Sequence, residues 1–149
     1  MGLTWIQPPF IIQEAFHALN PGGIFEIQDL VFDFHPDTIK GTDLEYWSNL
    51  VKKVFNEAHG VDLTQALGYK QCFQEQGFTD IHCEELEWPV GPERSAFRTW
   101  CNAGVESMLT GISNILIRTE VMTSAELEVL LAFVRRDLKN ETTNSSLKL

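Results

Sequence analysis

Cysteine is scarce in this chain: three residues in 149, with no C-x-x-C pair. That leaves neither a disulfide framework nor a structural zinc site, so Cys72, Cys83 and Cys101 are expected to be reduced, buried thiols. Cations are also few. Eleven Lys and Arg stand against twenty-one Asp and Glu, for a net charge of −10. Without a basic stripe to release counterions, a nucleic-acid partner is excluded. The small cluster Arg135-Arg136 with Lys139 falls at a helix C-terminus, where it offsets the macrodipole. No apolar run approaches the ~20 residues of a bilayer-spanning helix, so no membrane partner is expected. The opening residues have neither the charged nor the apolar region of a secretory signal. Met1-Gly2 lacks the Ser or Thr that favours acylation, Ile6 standing there instead. A cytoplasmic chain is the expectation, and the sequons at Asn140 and Asn144 then carry no glycan.

Aromatic residues are abundant: ten Phe, four Trp and two Tyr within a 44% hydrophobic composition. This supports a single core in one domain over residues 1–139, followed by a disordered tail over 140–149. Residues 8–19 form a helix with prolines at its start and Phe10, Ile11, Ala15, Phe16 and Leu19 at helical spacing. Asn20-Pro21-Gly22-Gly23 ends it. Residues 24–32 read as a strand, Phe25 and Ile27 on one face, Ile24, Glu26 and Gln28 on the other. A loop over 33–41 leads to a capping box at Thr42 and Glu45 and an amphipathic helix ending at Gly60. Asp62 starts a second helix, through Tyr69 and Phe73 to Gly77. Residues 78–88 read as a second strand, Ile81 and Cys83 inward, its far part exposed by Glu84, Glu85 and Glu87. After a turn over 89–92 comes a long helix over 94–121. Gly104 and Gly111 each weaken that helix by about 1 kcal/mol relative to Ala, predicting a break, a kink or the close approach of another body. A capping box at Thr123 and Glu126 opens the last amphipathic helix, through Leu138. Two strands and about five helices give an α/β class whose two-stranded sheet is marginal alone.

Three stretches, in this order, resemble the C-terminal half of class I S-adenosylmethionine-dependent methyltransferases, with the LaeA-like branch of fungal secondary metabolism the nearest likeness. They are residues 13–29 (QEAFHALNPGGIFEIQD), Gly77-Phe78-Thr79-Asp80-Ile81, and Glu87-Trp88-Pro89-Val90-Gly91-Pro92. The likeness spans roughly residues 10–139 and implies an incomplete Rossmann-like fold of two to three strands. That family grips its cofactor with a glycine-rich turn and an acid on the next strand. This sequence has no such turn; Gly22 and Gly23 serve the connection before a strand. The family's closing strand also has no counterpart legible in residues 140–149. S-adenosylmethionine is thus implied by the likeness alone, no cofactor-binding or metal-binding residue is assigned, and independent methyl transfer is not expected.

Ligands of open α/β sheets sit beyond the carboxyl ends of strands. This places Glu26 and Gln28 as substrate-binding residues and Asp29 as a base or hydroxyl acceptor, with a helix cap or solvated strand end as the alternative for Asp29. His35, in a proline-flanked loop, is a candidate proton shuttle or a plain exposed histidine. Tyr46 lies off its helix's apolar stripe and is free to meet a ligand, whereas Trp47 lies on it. Trp47, Trp100, Asn102 and Met108 either line an apolar pocket or, for the apolar three, pack the core.

Two kinds of function follow. A methyltransferase-like chain without its cofactor half could fold an apolar polyene or terpenoid and act as a cofactor-free cyclase or isomerase. Alternatively it is a non-catalytic interaction module, or a truncated methyltransferase, whose sheet is completed by a second copy or a partner protein.

Overall fold

The computed structural model describes residues 8–92, 95–140 and 145–148. Six helices, α1 (Pro8–Ala18), α2 (Pro36–Ile39), α3 (Asp43–His59), α4 (Tyr69–Gln76), α5 (Ala96–Arg118) and α6 (Ser124–Leu138), carry most of it. A 3₁₀ turn, Gln65–Gly68, leads into α4. Strands β1 (Glu87–Val90) and β2 (Ser145–Lys148) pair antiparallel, Trp88 opposite Leu147 and Val90 opposite Ser145. The chain is therefore mixed helix and strand, mostly helical, and the described residues do not form a Rossmann sheet. No described helix is long and apolar enough to cross a membrane.

The helix starts follow their capping chemistry. Thr123 accepts the Glu126 N–H while Glu126 accepts the Thr123 N–H, a reciprocal box that also holds the Glu126 carboxyl below its usual range. At α3 the box is half-formed. Thr42 accepts the Glu45 N–H, but Glu45 reaches back to the Gly41 N–H instead. Buried Asp137, at the end of α6, accepts the N–H groups of Asp43 and Leu44, so one helix's last turn caps another's first. The Trp47 indole N–H donates to Ser113 Oγ at 2.8 Å inside the core, tying α3 to α5. Around that bond pack Phe32, Phe34, Val51, Leu116 and Val134, with Val90 and Leu147 from the sheet. A smaller aromatic group, Phe16, Phe25, Phe73 and Phe78, joins α1 to α4.

Several expectations are corrected. Residues 24–32 are extended but not a strand; Val31 alone makes a bridge. Their side chains alternate as expected, Ile24, Glu26 and Gln28 exposed, Phe25 and Ile27 half-buried, yet no strand among the described residues pairs with them. A strand is defined by its neighbour's hydrogen bonds, which side-chain alternation does not supply. Of residues 78–88 only Glu87 and Trp88 are strand, which continues into the expected turn as far as Val90. Cys83 is exposed and Cys72 half-buried, so Cys101 alone is a buried thiol, and burial pushes its pKa up. On α1 the buried residues are Pro8 and Ile12, while Phe10 is exposed and Phe16, partly exposed, packs edge-on against Phe78. Residues 145–148, assigned to a disordered tail, form β2, and His35 N–H adds a hydrogen bond to the Ser146 carbonyl. The Met1-Gly2 start, and residues 141–144 with half of the two sequons, lie outside the described residues.

The long helix does not break at its glycines. A Cβ at Gly104 would fall 2.4 Å from Trp88 Cζ2, so the bare backbone there admits the indole of β1. Gly111 faces open space. Of the alternatives posed by the two glycines, close approach holds at Gly104.

Candidate functional site

Asp29 ends the alternating segment and is held on both carboxyl oxygens. Its Oδ1 accepts the Leu30 N–H at 2.9 Å, and its Oδ2 accepts the Tyr69 hydroxyl at 2.6 Å. Tyr69 begins α4 and is only 9% exposed; Phe25 of the segment, Phe73 of α4 and Phe78 just after α4 contact one another. Burial first, and the bond to Asp29 second, push the phenol's pKa well above its ordinary value. The proton thus stays on the phenol, which donates it as a hydrogen bond to the Asp29 carboxyl. Sequence reasoning placed Tyr69 only on a helix stripe. The usable signal was that a tyrosine on an apolar stripe needs a partner for its hydroxyl, and a nearby segment ends on an acid.

The other candidates are dispersed. Glu26 and Gln28, both exposed, hydrogen-bond to each other at 2.6 Å. His35 is exposed beside α2, and Tyr46 is exposed on the outer side of α3; no described hydrogen bond joins either side chain to Asp29. Trp47 is fully buried and belongs to the core. Met108 is half-buried against that same core.

Trp100 and Asn102 work on different flanks of α5. Trp100 is 63% exposed and stacks on Trp88 at 5.2 Å with 13° between planes, Phe97 following at 6.3 Å. Asn102 holds the end of β1: its Oδ1 accepts the Gly91 N–H and its Nδ2 donates to the Gly91 carbonyl. Beside Asn102 a cleft of about 460 Å³ opens between the β1–α5 corner and the last turn of α6. Glu106 and Arg135, paired at 3.0 Å, lie in its wall. No group of His, Cys, Asp and Glu among the described residues is arranged to hold a metal.

Comparison with family models, with curated proteins and with solved structures yields no match to this chain.

Proposed function

We propose that the chain is the substrate-side lobe of a class I methyltransferase-like fold of the LaeA-like kind, that it handles an apolar polyene or terpenoid intermediate, and that it transfers no methyl group by itself. The observation that carries this reading is the segment 24–29. Its side chains alternate outward and inward as in a sheet strand, and it ends on a carboxylate held by Tyr69. The carboxyl end of such a strand is where α/β folds place their ligands. Backbone groups of residues 24–28 make no described hydrogen bond, so a strand supplied by a partner chain or a second copy would satisfy them. The likeness in residues 13–29, 77–81 and 87–92 supports the same assignment, and the lack of a glycine-rich turn supports the absence of independent methyl transfer.

Calorimetry of the purified chain with S-adenosylmethionine, alongside its mass in solution, tests this. No saturable heat and a mass above the 16.9 kDa of one chain are expected. Saturable one-to-one cofactor binding by a monomer overturns the reading.

A second reading, a cofactor-free cyclase or isomerase, is favoured by two observations, the Tyr69–Asp29 hydrogen bond and the aromatic group of Phe25, Phe73 and Phe78. A cofactor-free cyclisation needs shape, excluded water and one or two fixed hydrogen-bonding groups, which the aromatic group and the Tyr69–Asp29 pair would supply. Product profiles of a native metabolite mixture should change with the protein and revert with Tyr69→Phe. Identical profiles with and without protein refute it.

A further inference from the structure

The cleft beside Asn102 carries chemistry that the Asp29 site does not use. We propose that it binds a small amphiphilic acid, the carboxylate held by Arg135 and Lys139 and the apolar body lying on Gly91, Pro92, Ala103 and Leu138. In a chain of net charge −10, two of the eleven cations face this one cleft, and among the described residues a single acid, Glu106, lines it with them. Arg135 gives Glu106 only its Nε–H, at 3.0 Å, and its other guanidinium N–H groups enter no described bond. Lys139 makes no described ion pair, whereas neighbouring Arg136 is engaged by Asp43 and Asp137. Two cations of different reach suit a carboxylate, the guanidinium as a planar fork and the ammonium as a point charge.

The volume and walls narrow the class of ligand. About 460 Å³ lies within the range of small-molecule sites and exceeds what an inorganic anion fills. A cationic rim over an apolar wall favours a charged head with a hydrocarbon body over either part alone. The wall is also preformed, because Asn102 fixes both the N–H and the carbonyl of Gly91. Glu106 is the competitor: it occupies part of Arg135 and repels an incoming carboxylate.

Amide-resolved NMR titration of the whole chain with octanoate, octan-1-ol and inorganic phosphate tests the proposal. Octanoate should give saturable shifts centred on Gly91, Asn102 and Lys139, with octan-1-ol and phosphate each weaker by severalfold. Lys139→Ala, at an exposed position, should weaken octanoate about three- to fivefold. Glu106→Gln should tighten it, because Arg135 is released to the ligand; loss of a merely structural ion pair would not do so. Raising the salt from low to high concentration should weaken octanoate and leave octan-1-ol unchanged. Absence of saturable octanoate shifts, equal affinity for octan-1-ol, or an unchanged affinity in both Lys139→Ala and Glu106→Gln overturns the proposal.

Discussion

The Tyr69 hydroxyl donates to Asp29 Oδ2 across 2.6 Å, joining the start of α4 to a segment forty positions earlier in the chain. Hydrogen bonds to a charged acceptor contribute about 1.5–3 kcal/mol, and a buried phenol without its acceptor would be costly. Tyr69→Phe should therefore lower the unfolding free energy by about 1–3 kcal/mol at pH 7, measured in urea. The pH dependence has a definite sign. The folded chain holds the phenol proton more tightly than the unfolded chain, whose value is 10.0. The contribution is thus fully present below that pH and is lost as pH rises through the folded value. Wild type should lose stability above pH 10 more steeply than Tyr69→Phe.

Gly104 and Gly111 sit in the same helix and should respond oppositely to alanine. At Gly111 nothing meets the added methyl, so Gly111→Ala should stabilise by about 0.5–1 kcal/mol through helix propensity. At Gly104 the methyl would strike Trp88, and overpacking of about 1–3 kcal/mol outweighs that gain. Thermal melts of the two variants should move in opposite directions, with altered tryptophan fluorescence only for Gly104→Ala.

Asp137 caps α3 from the end of α6, accepting the Asp43 N–H at 2.7 Å and the Leu44 N–H at 3.2 Å. Asp137→Ala leaves two donors without their acceptor at a buried helix start. A loss of about 1–2 kcal/mol in urea unfolding is expected, with Asp137→Asn costing less because its amide oxygen still accepts.

Local chemistry made the helices legible and left the pairing of strands hidden. Thr123 and Glu126 mark the start of α6 because a cap and its reciprocal partner lie three residues apart. Gly60 and Gly77 mark the ends of α3 and α4 because both take left-handed backbone. Residues 24–29 were equally legible as an alternating face, but the neighbour that would make them a strand is not a local property. Ser145–Lys148 shows the converse. Four residues with one apolar side chain carry no periodic signal, and only their antiparallel pairing with Glu87–Val90 makes them β2. In the site, Asp29 was legible as the acid at a segment's end, while Tyr69 was masked by its place on an apolar stripe. Trp47 and Trp100 have similar helical settings in sequence, yet one is fully buried in the core and the other is 63% exposed and stacked on Trp88.

Amide hydrogen exchange over residues 24–28 tests most directly whether this extended, alternating segment lacks backbone partners, as it does among the described residues. The helices α3 and α6 bury one face each in the core, so their inner amides should exchange orders of magnitude more slowly than unstructured peptide. The amides of residues 24–28, with no described hydrogen-bond partner, should exchange within about tenfold of the unstructured rate. Protection at 24–28 matching that of α3 in the monomeric chain would contradict the account.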